Sequence, residues 1–245
     1  MINTTAGAGG TLNTGDSING SAGNDTLDGI ATAAATPIVL ASMTGVETVK
    51  VQDLVGATVN LANATGVTKL VATNSTAQTT FNNVDAIAGV EVNGGAGMTV
   101  AYDAAVVAGL TDAQNVAVNG ATGTVNAAGI ETFNVAATGK NTLTLTNDGD
   151  TVNVSGTGSV TFGGAGLGIT KLDASANTGG VTATLATGNV AVTGGAGNDS
   201  FSFGAGLTKA DTGVPGDVVD GGAGTDTVRV TTGGNLCKRW PGVTL

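Results

Sequence analysis

The chain has 245 residues, 42 of them Gly, with 3% aromatic residues, 11% charged residues, no His and a formal net charge of -10. That length admits one or two domains, but so much glycine and so few aromatics argue against a thick globular core and for a thin, stacked β structure filled by Val, Ile, Leu and Ala. The acidity argues against nucleic acid as a partner, and the lack of His excludes His-based triads and zinc-protease motifs.

Residues 1–29 contain Gly20-Ser21-Ala22-Gly23-Asn24-Asp25-Thr26-Leu27-Asp28. This differs by one Ser from Gly-Gly-x-Gly-x-Asp-x-U-x, where U is a large apolar residue, the nonapeptide of calcium-binding β-helices. Glycines permit a tight turn whose carbonyls face inward, the Asp adds a charged oxygen, and x-U-x forms a short strand. The preceding frame starts at Thr11 and places Asp16 at the ligand position and Ile18 at the buried one. No basic start or apolar core of a Sec-type signal follows Met1, so any export signal is expected elsewhere. Ile30 to Met43, rich in Ala and Thr and interrupted by Pro37, is too short to span a bilayer and is expected to cap the stack.

From Gly45 to Thr193 the chain repeats irregularly. Units open with Gly and a β-branched residue, as in Gly45-Val46-Glu47-Thr48-Val49, Gly66-Val67-Thr68-Lys69-Leu70, Gly129-Ile130-Glu131-Thr132-Phe133 and Gly168-Ile169-Thr170-Lys171-Leu172. Successive strand starts are about 20 residues apart, a solenoid period, with second strands such as Thr142-Leu143-Thr144-Leu145 between them. Such a unit cannot bury its apolar face alone; stacking buries it. Two glycine-rich fragments, Gly94 to Val100 and Gly163 to Ile169, lack the ligand Asp and are read as turns only.

Full copies of the nonapeptide start at Gly194 and Gly221, with gapless frames at Phe203 and Thr212 between them. In a roll of two nine-residue halves per coil, Asp199 and Asp217 are 18 residues apart and would stack, with Asp226 on the opposite edge across from Thr208. The expectation is one calcium site from the Asp199 and Asp217 turns, a weaker one at Asp226, and a counterpart from Asp25 and Asp16. Gly195, Gly197, Gly222, Gly224, Asn24 and Asn198 complete the candidate metal-site residues. The last nine residues hold the only Cys, Cys237, and the only Trp, Trp240, and read as a truncation or frameshift remnant. One Cys leaves no internal disulfide.

The expected fold is therefore all-β, a right-handed parallel β-helix or β-solenoid with short calcium-binding β-roll segments near both ends. The divisions are 1–29 as a partial calcium-binding segment, 30–193 as the solenoid body, 194–236 as a C-terminal β-roll and 237–245 as an atypical tail. The copies at Gly20, Gly194 and Gly221, with Phe201 to Leu207 leading into Asp217-Val218-Val219-Asp220, resemble the RTX (repeats-in-toxin) family of type I secreted proteins. The Gly-Val-Glu-Thr-Val and Gly-Ile-Glu-Thr-Phe units resemble bacterial surface-layer proteins of the Caulobacter and Campylobacter kind. The resemblance implies secretion through a type I exporter, folding on extracellular calcium and self-assembly into a lattice or fibre, with cell-surface polysaccharide as a further partner. It also carries the ligand role to Asp25, Asp199, Asp217 and Asp226, and to Asp16.

The expected function is thus a non-enzymatic, calcium-dependent structural module of the cell surface with no transmembrane segment. A calcium-dependent adhesin is the alternative, and a β-helix polysaccharide lyase or epimerase is a further one, for which Tyr102-Asp103 and Asp148-Gly149-Asp150 are the only local carboxylate candidates. An ice-binding solenoid would need a flat, regular Thr array, and Thr142-x-Thr144-x-Thr146 alone is too short for one.

Overall fold

The computed structural model describes residues 2–6, 12, 15–32, 37–146, 151–164, 167–186, 189–204, 207 and 216–230. Among these there is no helix, and every strand pairing is parallel. The chain is a β-solenoid, as its repeat implies. Two wide faces run the length of the molecule in one continuous sheet, and a third, narrow face of Ser17–Asn19, Ser42–Thr44 and Ala64–Thr65 closes the first rungs.

The first wide face stacks Thr26 on Thr48, Thr48 on Lys69 and Lys69 on Gly89, then Ala113 on Thr132, Thr151, Lys171, Ala191 and Val218. From Ala113 to Ala191 the rungs take 19 or 20 residues, while the rung from Val90 to Val116 takes 26 and the last takes 27. The strand Thr26–Ala31 crosses the expected boundary at 29/30, and Ala191–Thr193, which ends at the one at 193/194, pairs with Val218–Asp220 beyond it in the same sheet. Ile38–Val39 pairs with the strand Thr58–Asn60 and Ser42–Thr44 lies in the third face, so the described part of the expected cap is a regular rung.

The period-two alternation of each strand sends one side chain in and the next out. Thr132–Thr138 shows the result, with Phe133, Val135 and Ala137 buried. Inward residues form columns: Leu27, Val49, Leu70, Val90, Val116, Val135 and Val154 stack on the first face. Each buried Val, Leu or Phe contributes about 1.5–3 kcal/mol, and no rung gains this until its neighbours cover it. Outside the first face, Asn153 donates to Asn134 at 2.8 Å and Asn134 to Asn115 at 3.0 Å, an amide ladder in step with the rungs.

The repeated Gly-Val/Ile-Glu-Thr unit is a corner. Gly45 and Gly129 take φ of 60° and 78°, a region that suits glycine, and turn the chain. Val46 and Ile130 then fill the corner of the core, and Thr48 and Thr132 open the first-face strands. Glu47 and Glu131 reach back along the stack: Glu47 Oε2 accepts the backbone N–H of Asp25, and Glu131 Oε2 that of Asp112, both at 2.8 Å.

Candidate functional site

The C-terminal turns come together, in a register different from the expected one. Ser200 pairs with Thr227 and Ala191 with Val218, so the turn Gly194 to Asp199 lies directly on Gly221 to Asp226, 27 residues ahead. Asp199 therefore stacks on Asp226, and the expected 18-residue pairing of Asp199 with Asp217 does not occur. Asp217 sits across the molecule, where its Oδ1 accepts the Val190 N–H at 2.8 Å. The physical reason is rung length: from Ala191 to Val218 the rung takes 27 residues, three nine-residue frames rather than two, so the ladder hydrogen bonds set Asp226 and not Asp217 on Asp199. Residues 205–206 and 208–215, including Thr208, lie outside the described residues.

Backbone contact between the two turns is close. Gly194 N–H donates to Asp220 O at 2.7 Å, Ala223 N–H to Gly195 O at 2.8 Å, and Thr227 N–H to Asp199 O at 2.8 Å. Side chains follow the same direction: Thr225 N–H donates to Asn198 Oδ1 and Asp199 N–H to Asp226 Oδ1, both at 2.9 Å. Only residues without a Cβ allow this. A Cβ on Gly222 would lie 2.2 Å from Gly195 O, and one on Gly194 would lie 2.1 Å from Gly221 O and 2.6 Å from Asp199 Oδ2.

Asp199 is 2% exposed. Its Oδ1 accepts the Val181 N–H at 2.6 Å and its Oδ2 the Gly195 N–H at 2.8 Å. Burial raises its carboxyl above the usual carboxylate range; the two N–H donors oppose that shift and the neighbouring Asp226 charge adds to it. A buried carboxylate next to a second one is a place where a cation would be favoured. The donors around the glycine cradle are all oxygens, carbonyl and carboxylate, which is the chemistry of calcium rather than of softer metals. Among the described residues no three His, Cys, Asp or Glu side chains cluster as a metal site. A calcium ion here would have to be held mostly by backbone carbonyls such as those of Gly195 and Gly197, with Asp199 and Asp226 supplying charge, and both Asp199 oxygens and Asp226 Oδ1 already accept backbone N–H groups.

At the other end, the Gly20 to Asp25 turn packs on the Gly45 corner, with Gly20 N–H donating to Thr44 O at 2.9 Å. Asp25 N–H is held by Glu47, while Asp25 Oδ2 is buried and accepts no hydrogen bond. That orphaned oxygen is the feature here that fits a cation. Asn24 is exposed. Asp16 stands before the strand Ser17–Asn19 and Asp25 after it, and the Asp16 carbonyl is occupied by the Ala41 N–H at 2.9 Å. Residues 11, 13 and 14 of its frame are outside the described set.

The corners share a wider pattern that the motifs do not mark. At the corners an acidic or amide side chain repeatedly caps a backbone N–H of the rung behind it: Glu47, Glu131, Asp199, Asp217 and Asp226 do so, and Asn141 Oδ1 accepts the Ala121 N–H at 3.1 Å. Asp53 and Asn177 cap their own turns from inside the core, Asp53 through the N–H groups of Val55, Gly56 and Ala57. The recurring Glu of the Gly-Val/Ile-Glu-Thr unit was the available signal.

Tyr102 does not form an acid–base pair with Asp103. Its hydroxyl is bound to Gln114 Oε1 and lies 3.5 Å from Ala88 O, and burial pushes its pKa up to about 12. Gly94 to Val100, expected as turns only, lies inside the strand Gly89–Tyr102, where positive φ at Gly94, Gly95 and Gly97 and a register shift between Gly95 and Gly97 bend it from one wide face to the other. Asp148-Gly149-Asp150 and the tail at 237–245 lie outside the described residues, as do residues 165 and 166 of the second glycine-rich fragment. No protein-family model matches the chain, and no curated protein matches it.

Proposed function

We propose that this chain is a non-enzymatic structural module of a secreted bacterial surface layer, stabilised by calcium at its end turns and self-assembling outside the cell. The stacking of the Gly194 and Gly221 turns carries the reading: two glycine-rich, acid-bearing turns in direct register, lined by oxygen and short of positive charge. Bound calcium would supply a divalent charge between Asp199 and Asp226. The chain's own residues do the rest. Gly194, Gly195 and Gly222 let the carbonyls converge, and Asp199 ties its turn to the rung behind through Val181.

An ion that binds only the folded state stabilises it by about 2.7 kcal/mol per site at 100 times its dissociation constant. Scarce cytosolic calcium would leave the end turns loose until export, while Val, Ile and Leu columns hold the middle. Type I secretion and surface localisation rest on the resemblance of the nonapeptides to RTX proteins. The deciding experiment is unfolding with calcium and with chelator, read by hydrogen exchange at Gly195 and Thr227. Calcium should slow exchange there and leave Val135 unchanged; equal exchange at the end turns in both conditions sinks the reading.

A further inference from the structure

We propose that the second wide face is a self-association surface on which two copies of this chain pack face to face. This rests on the self-assembly part of the reading above but is independent of calcium. Beyond the short strand Ile38–Val39, nine strand segments build the face: Thr58–Asn60, Thr79–Val84, the second halves of Gly89–Tyr102 and Ala113–Ala127, then Lys140–Thr146, Ser159–Phe162, Val181–Leu185, Ser200–Phe203 and Thr227–Val230. None contains Asp or Glu, although the chain has 18 acidic residues. The first wide face differs, carrying the ion pairs Lys50–Asp28, Lys69–Glu91 and Lys171–Asp173.

Apart from Lys140, Asn126 and Arg229, the outward residues of this carboxylate-free face are mostly hydroxyls in register. Thr142, Thr161, Thr182, Ser200 and Thr227 form one column. Thr184 and Ser202 stand beside it, leading to Arg229, and Thr58, Thr80, Thr99, Asn126 and Thr146 form another. From the second half of Ala113–Ala127 onward the pairings of this face run without a register shift. Thr units that lie far apart along the chain are thus brought together only by stacking.

A chain with net charge -10 repels its own copies over most approaches. The carboxylate-free face is where that repulsion is weakest. Its β-branched Thr side chains are stiff at χ1, so little freedom is lost when two such faces interdigitate in the dry manner of stacked sheets. Nine strands about 4.8 Å apart, each presenting two or three outward residues about 6.7 Å apart, offer roughly 600–800 Å² per copy, enough for a standard interface of about 1,200–2,000 Å² in total. Sugar sites favour aromatic platforms, and this face presents none.

The test is sedimentation of the full chain in chelator, which removes any calcium contribution. Wild type should run as a dimer, and Thr182→Glu, which puts a carboxylate at the centre of both facing surfaces, should halve the sedimenting mass. Thr182→Ser and the first-face control Asn134→Glu should remain dimeric, and all variants should keep the wild-type circular dichroism. A monomeric wild type overturns the proposal, as does a dimer that Thr182→Glu leaves intact; so does a monomer that instead adsorbs to ice or to a polysaccharide. Calcium-dependent protection at the end turns is measured separately, so failure of one reading leaves the other standing.

Discussion

Replacing Asp199 with Asn separates its role as a hydrogen-bond acceptor from any role as a ligand. The carboxylate accepts two buried N–H groups, from Val181 at 2.6 Å and from Gly195 at 2.8 Å. Asn offers one acceptor, so one of the two donors would face an NH2 group and lose its partner. A buried unsatisfied donor costs about 1–3 kcal/mol. In chelator, exchange of the Val181 or Gly195 amide should therefore accelerate by about 10- to 100-fold, since about 1.4 kcal/mol corresponds to a factor of ten. Val135, in the middle of the stack, should be unaffected because stability in solenoids is local. In calcium the gap between wild type and variant should widen by the binding contribution. If the variant exchanges like wild type in chelator, the carboxylate is not capping these amides, and the account of the corner fails.

Three further outcomes are expected. The Asp173 carboxyl is lowered, first by the Ser175 hydroxyl and then by the Ser175 N–H, so its small contribution is present above the ordinary carboxyl range and should be lost as pH falls, read as the difference in urea unfolding between wild type and Asp173→Ala. Glu131→Ala strips the acceptor from the Asp112 N–H and should cost about 1–3 kcal/mol, whereas Glu131→Gln, which keeps an amide oxygen, should recover most of it in the same unfolding measurement. Phe133→Ala, at a fully buried site between Gln114 and Val152 in the stack, should cost about 3–5 kcal/mol and lower the urea midpoint without changing the β-sheet signal at low denaturant.

Much of this architecture is written locally. Alternation in Thr-Phe-Asn-Val-Ala-Ala-Thr, a β-branched residue after a turn glycine, and a spacing near 20 residues suffice to specify strands, corners and a stacked core, because each depends on neighbouring dihedrals and on which side chains face inward. The nonapeptides likewise mark their own turns. What they do not mark is their partner. Rung lengths of 19 to 27 residues show that a corner can absorb extra chain without disturbing the strands, so sequence distance does not reveal which turn lies on which. Interstrand hydrogen bonding chose Asp226 over Asp217 as the neighbour of Asp199, turned the glutamates of the body into caps for the rung behind, and gathered scattered Thr residues onto one carboxylate-free face. Those are relations between rungs, and only the stacked molecule contains them.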